Sequence, residues 1–185
     1  MTILRTLKTG NTWKVSDLKG RSLGKLGKNA RGFTFSPVAN INVTSLGSYF
    51  PALAIDVHGV TLWDTLGNVL ATTTVTGTGA EGFGFTAISP LLLLGGVTYV
   101  VGANTLTDYY ANIDATWTVG TGINYIAHVE TPCTGVTPCF PGNAYNTFGD
   151  FGANFQFTQV PEPASIMLLG TGLLALGGRF RRKKT

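Results

Sequence analysis

The two histidines, His58 and His128, are the side chains best suited to proton transfer near neutral pH. His58 could form a Ser/His/Asp triad with Asp56 or Asp64 and one of several serines, and such a triad activates a serine hydroxyl for attack on a carbonyl. However, His58 lies in a segment that alternates as a strand does. The pattern therefore favours an ordinary strand residue, with a cryptic hydrolase as an alternative.

Three glycines, Gly77, Gly79 and Gly82, have the GxGxxG spacing of a dinucleotide-binding loop. That site needs a strand before the glycines and a helix after them, whereas residues 83–88 have the alternation of a strand. We therefore expect a hairpin loop at this position.

Oxygen-bearing side chains lie close together in predicted loops and at predicted strand ends. They are Asp108, Asp114, Asp150, Asn104, Asn112 and Asn154. Such hard ligands can hold calcium, although the spacing of an EF-hand is absent. Structural calcium is an alternative, and no other metal or cofactor is expected.

Aromatic residues are concentrated in the same region. Tyr109, Tyr110, Trp117 and Tyr125 could form a platform on which a sugar ring stacks, or they could fill the core, which is the favoured interpretation. A carbohydrate-binding module that uses Tyr109, Tyr110 and Trp117 is therefore the second functional hypothesis.

Short apolar segments separated by turn residues indicate an all-β domain over residues 32–159. The predicted strands are 32–35, 41–49, 55–63, 69–75, 82–88, 97–103, 115–119, 123–129 and 153–158. Strands at this spacing, with no convincing helix pattern between them, predict an antiparallel β-sandwich with a jelly-roll-like topology.

Positive charge is confined to the two ends of the chain. All thirteen Lys and Arg residues lie within 5–31 or 179–184, so the net charge of +4 does not indicate a nucleic-acid partner. Residues 1–31 lack the apolar run of a signal peptide and are expected to be poorly ordered. Either the start is misassigned and the export signal is lost, which we favour, or this basic arm serves another purpose.

The C-terminal segment, residues 160–185, combines three features. Val160, Pro161, Glu162 and Pro163 predict an extended start, because each proline fixes φ and disfavours helix in the preceding residue. An apolar helix is expected next, over residues 164–178. Its main apolar residues are Ala164, Ile166, Leu168, Leu169, Leu173, Leu174 and Leu176. A basic end follows, which suits the cytoplasmic side of a membrane. It contains Arg179, Arg181, Arg182, Lys183 and Lys184.

This combination resembles the PEP-CTERM sorting signal of Gram-negative bacteria. The resemblance implies that exosortase, a membrane protease-transpeptidase, recognises Pro161, Glu162 and Pro163. It also implies export across the inner membrane, transient anchoring through the C-terminal helix, and delivery to the cell envelope or extracellular matrix.

A second resemblance covers about residues 32–104. It is carried by VTSLG at 43–47, VHGVTLWDTLGNVLA at 57–71, FTAISPLLL at 85–93 and GVTYVVGA at 96–103. These segments are similar to a β-sandwich domain of uncharacterised function that is common in PEP-CTERM proteins. That domain has no assigned reaction to carry over. We expect a non-enzymatic surface or matrix protein, and the family resemblance implies its association with exopolysaccharide.

The two cysteines, Cys133 and Cys139, lie in a loop that contains Pro132 and Pro138. In an exported protein, such a pair predicts a small disulfide. A metal site would need further ligands, and none is close in the sequence.

Overall fold

The structure, a computed structural model, describes residues 29–50, 52–105, 120–135, 139–145 and 152–160. Within these residues the chain forms strands and no helix, and every strand pair is antiparallel. The strands are β1 (Asn29–Pro37), β2 (Ile41–Phe50), β3 (Val57–Asp64), β4 (Val69–Thr76), β5 (Gly82–Leu93), β6 (Tyr99–Thr105), β7 (Ile123–Pro132), β8 (Asn143–Tyr145) and β9 (Ala153–Gln159). The predicted all-β antiparallel class is confirmed.

The strands form two sheets that share a core. One sheet has the order β4-β3-β6-β1-β7-β8 and the other has the order β5-β2-β9. Because side chains alternate between the two faces of a strand, Phe35, Leu62 and Val101 of the large sheet meet Leu46 and Phe155 of the small sheet. Two sheets packed in this way form a β-sandwich. The jelly-roll-like topology stays a prediction.

The first strand begins earlier than the sequence predicts. β1 starts at Asn29 instead of residue 32, and Arg31 within it is buried. A buried arginine does not match the apolar pattern of a strand, and it is accommodated here because Glu130 of β7 lies beside it. The predicted disordered segment therefore overlaps the first strand by three residues, and residues 1–28 lie outside the described ones.

The fifth strand runs longer than predicted, because it continues through Pro90 to Leu93. Proline cannot donate a ladder hydrogen bond, but β5 lies at the edge of its sheet, where this is tolerated. The pairing of β2 with β5 shifts register between Val43 and Ser45, and this bulge accommodates the extra residues of β5. β8 is not predicted from sequence, and the predicted strand at 115–119 lies outside the described residues.

Five segments meet at one end of the sandwich, which we call the exit end because the C-terminal segment leaves from it. They are residues 37–40, 64–68, 94–98, 120–123 and 159–160. The amide of Val160 donates to the carbonyl of Asn40 at 2.9 Å, and the amide of Val38 donates to the carbonyl of Gly122 at 2.8 Å. The point at which the chain leaves the domain is therefore fixed by hydrogen bonds.

Candidate functional site

A serine and a histidine join the two sheets inside the sandwich. Oγ of Ser48 on β2 lies 2.8 Å from Nδ1 of His58 on β3. Both residues are completely buried. Since β2 and β3 belong to different sheets, this hydrogen bond connects the two layers across the core.

The histidine is held neutral by its surroundings. The ring of Phe50 stacks on the imidazole of His58, with centroids 4.2 Å apart. Burial lowers the pKa of His58 to about 4, although the carboxylate of Asp56 opposes this shift. At neutral pH the imidazole is therefore uncharged, and its Nδ1 forms a hydrogen bond with the hydroxyl of Ser48.

This pair is the part of the predicted triad that the structure brings together. Asp56 lies near His58, whereas Asp64 is at the far end of β3. Both oxygens of Asp64 bind its own turn, because they accept from the amides of Leu66 and Asn68 and from Nδ2 of Asn68. Attack by Ser48 on an external carbonyl would first require the sandwich to open, since no part of either side chain reaches the surface.

A second serine motif was overlooked in the sequence. Gly20, Ser22 and Gly24 have the GxSxG spacing of a nucleophile elbow, and they lie outside the described residues. An elbow follows a buried strand, whereas residues 14–19 are largely polar and charged. The spacing without this context does not indicate a hydrolase.

A buried cluster of charged and titratable groups lies between β1 and β7. Nε of Arg31 is 3.3 Å from Oε2 of Glu130, and the side chain of Arg31 is 4% exposed. His128 is also buried. Burial lowers the pKa of His128, Arg31 adds to the shift, and Glu130 opposes it. The sequence pattern does not identify Arg31 as a buried residue, because its charge does not fit the apolar pattern of a strand and its partner Glu130 lies on another strand.

The two cysteines form a disulfide, with their sulfurs 2.08 Å apart. Sγ of Cys133 accepts from Nδ2 of Asn104 at 3.0 Å and from the amide of Cys139 at 3.1 Å. Nδ2 of Asn104 also donates to the carbonyl of Gly135 at 2.6 Å. The loop closed by the disulfide is thus attached to β6, on the outer face of the large sheet.

The residues after the disulfide cover an apolar cluster on that face. The ring of Phe140 packs edge-on against Trp63, with centroids 5.8 Å apart, and Trp63 is 2% exposed. Gly102 lies beneath Pro141, where an added Cβ would come within 3.3 Å of the proline ring. We call residues 139–142 the strap, because Phe140 and Pro141 within it cover Trp63 and Gly102 on the outer face. Sequence reasoning predicted the disulfide but not this packing role.

An aromatic group lies on the outer face of the small sheet. The rings of Tyr49 and Phe83 are 5.5 Å apart, and those of Phe83 and Phe85 are 6.2 Å apart. The hydroxyl of Tyr49 donates to the carboxylate of Glu81 at 2.8 Å. The rings of Phe83 and Phe85 are half-buried, and Phe85 lies over Gly47, where an added Cβ would clash with it. Rings beside a carboxylate form a surface to which a sugar could bind.

Most of the predicted site residues lie outside the described residues. They are the aromatic residues Tyr109, Tyr110 and Trp117, the acids Asp108, Asp114 and Asp150, and residues 161–185 with the sorting motif, the apolar helix and the basic end. Within the part of the chain that the structure describes, no three His, Cys, Asp or Glu side chains are grouped as metal ligands. In that same part, no helix has the length and apolar character needed to cross a membrane.

Two family models match the sequence. The model described as "Domain of unknown function (DUF4082)" matches residues 22–150, and the model described as "PEP-CTERM protein-sorting motif" matches residues 159–183. No curated protein matches the chain. The domain match covers more than half of the chain and includes the Ser48–His58 pair, the strap and the aromatic face.

Proposed function

The chain belongs to the DUF4082 family and carries a PEP-CTERM sorting motif, and we propose that it is a non-enzymatic protein of the cell surface or extracellular matrix, associated with exopolysaccharide. The observation that carries the proposal is the sorting motif at residues 159–183. This motif supports exosortase-dependent sorting to the cell envelope or extracellular surface. An exosortase-type enzyme is therefore the implied processing partner.

The sorting step uses the chain directly after β9. Pro161, Glu162 and Pro163 form the recognition element, because two prolines keep the backbone extended and accessible to a protease. Residues 164–178 hold the precursor in the bilayer, and the basic residues 179–184 keep the C-terminus on the cytoplasmic side. As a helix, 164–178 would span roughly 22 Å, which is shorter than the ~30 Å hydrocarbon core. Such a short segment suits transient anchoring.

The burial and mutual hydrogen bonding of the polar core residues support a non-enzymatic role. Ser48 and His58 bond to each other across the sheets, and both are fully buried. Because this hydrogen bond connects the two sheets, a structural role is sufficient to explain why Ser48 and His58 are paired. The exopolysaccharide association rests on the resemblance to other PEP-CTERM proteins alone.

A second candidate function is glycan binding by the outer face of the small sheet. The observation that favours it is the aromatic group of Tyr49, Phe83 and Phe85 beside Glu81. Apolar ring faces stack on the C–H faces of sugars, and a carboxylate accepts hydrogen bonds from their hydroxyls. This face would give the protein a direct means of contacting exopolysaccharide.

The experiment that tests the sorting proposal is the substitution Glu162→Ala in the native host. We expect unprocessed precursor to accumulate in the membrane fraction, because the recognition element loses its only charge. Glu81→Ala is the matched control, since it removes an exposed acid from the body of the domain and leaves the motif intact. Normal maturation of the Glu162→Ala variant would refute the recognition role.

A further inference from the structure

The exit end carries exposed apolar side chains on its turns. Val38 is 63% exposed and Leu66 is 85% exposed. Others at or beside the same end are Val69, Leu92, Leu94 and Val97. Single exposed apolar residues are common on protein surfaces, so this feature gains meaning only from its position in the molecule.

The turns are held together as one surface. The amide of Gly95 donates to Oδ1 of Asn40 at 2.9 Å, and the amide of Gly96 donates to the carbonyl of Pro37 at 2.7 Å. Asn40 also accepts from the amide of Val160. The same asparagine therefore ties the 94–98 turn to the residue from which the C-terminal segment leaves.

Charge is nearly absent from the described segments at this end. The segments 37–40, 94–98, 120–123 and 159–160 contain no Lys, Arg, Asp or Glu. The 64–68 turn contains one acid, Asp64, whose carboxylate accepts hydrogen bonds within that turn. In these described segments, almost no charged group would therefore lose its hydration if the surface approached an apolar phase.

The length of chain beyond Val160 restricts where this end can lie. Three residues, 161–163, lie between Val160 and Ala164, where the apolar run begins. Fully extended, the four steps from Val160 to Ala164 span at most roughly 14 Å. The headgroup layer on each side of a bilayer is roughly 5–8 Å thick. When residues 164–178 lie in the bilayer, the exit end must therefore lie at or close to the headgroups.

We propose that the exit end of the domain rests on the lipid surface while the precursor awaits processing, with Val38, Leu94 and Val97 at the boundary between headgroups and acyl chains. This inference rests on the proposed membrane-held precursor. Apolar side chains on separate turn tips suit a fluid lipid surface better than a structured protein partner. The surface orients the domain and holds residues 161–163 at the membrane, where the processing enzyme acts.

The test uses the full-length chain in vesicles of phosphatidylethanolamine and phosphatidylglycerol with brominated acyl chains. Leu94→Trp reports on the exit end, and Leu53→Trp, which is also exposed, reports on the opposite end. The unsubstituted chain supplies the background from its own tryptophans. After flotation, we expect quenching of the added tryptophan to be at least threefold greater for Leu94→Trp than for Leu53→Trp.

Each other outcome overturns the proposal at a distinct step. A chain that fails to float with the vesicles refutes the membrane-held precursor and the surface contact together. A chain that floats but shows equal quenching in the two variants refutes the contact alone. Shielding of Leu94→Trp that appears only when exosortase is added would assign the surface to a protein partner.

Hydrogen exchange of the unsubstituted chain provides a second measurement if a tryptophan variant fails to fold. The proposal expects slower exchange at residues 37–40 and 94–98 in vesicles than in the chain cleaved before residue 161, with no change at residues 52–56. Equal exchange in both forms at 37–40 and 94–98 would overturn it.

Discussion

Oγ of Ser48 and Nδ1 of His58 lie 2.8 Å apart and connect the two sheets of the sandwich through the core. Replacing Ser48 by alanine would leave a buried imidazole nitrogen without this partner. An unsatisfied buried polar group costs about 1–3 kcal/mol, so we expect Ser48→Ala to lower the free energy of unfolding by roughly that amount. Urea denaturation measures the change, and Ser89→Ala, at an exposed position, is the control. Equal stability of the two variants would contradict the connecting role.

The buried histidine makes stability depend on pH. Its pKa is about 4 in the folded protein and 6.5 in the unfolded chain. Between these values the unfolded chain binds a proton that the folded protein does not, so stability falls as the pH drops from 6.5 toward 4 and levels off below. The difference corresponds to roughly 3 kcal/mol.

The variant His58→Asn isolates this contribution, because it removes the titrating group. We expect urea midpoints measured from pH 7 to pH 4 to fall more steeply for the wild-type protein than for the variant. Other groups, including His128, titrate in both proteins, so only the difference between the two slopes is informative. Parallel slopes would show that His58 does not titrate as the structure implies.

The disulfide holds the strap against Trp63. Replacing both Cys133 and Cys139 by serine should lower stability by roughly 2 kcal/mol, as expected for a short closed loop. We also expect stronger acrylamide quenching of tryptophan fluorescence, since Phe140 would no longer be held over Trp63. The same double substitution in a Trp63→Phe background should show no such increase. An unchanged quenching constant in the wild-type background would mean that the strap stays in place without the disulfide.

The aromatic face of the small sheet makes a separate prediction for glycan binding. If it binds the exopolysaccharide of the host, Phe83→Ala should weaken that binding roughly fivefold to tenfold, the loss expected for one stacking ring. Val57→Ala is the matched control, because it truncates an exposed apolar residue of the large sheet. Equal affinity of both variants and the wild-type protein would remove the second candidate function.

The architecture was predictable from sequence because most strands have apolar alternation bounded by turn residues. β2 to β4 lie close to their predicted bounds for this reason. Two of the strands that differ contain residues that violate the pattern: Arg31 in β1 is buried beside Glu130, and Pro90 in β5 is tolerated at a sheet edge. Both depend on the neighbouring strand, which a single sequence does not reveal.

The candidate sites were less predictable than the strands. The local spacing of Cys133 and Cys139 was enough to suggest their pairing. By contrast, Ser48 was one of several serines that could have approached His58, and their contact depends on which strands face each other across the core. The strap over Trp63 depends on a contact with Phe140, 77 residues away along the chain.

The intact mass of the native protein, measured in fractions of its own host, tests exosortase-dependent sorting. We expect a mature mass that lacks the basic residues 179–184, found in the outer envelope or matrix fraction. The mass should also be two hydrogens lower because of the disulfide between Cys133 and Cys139. A chain that retains residues 179–184 and stays in the inner membrane would contradict sorting, and the C-terminal segment would then be a permanent anchor.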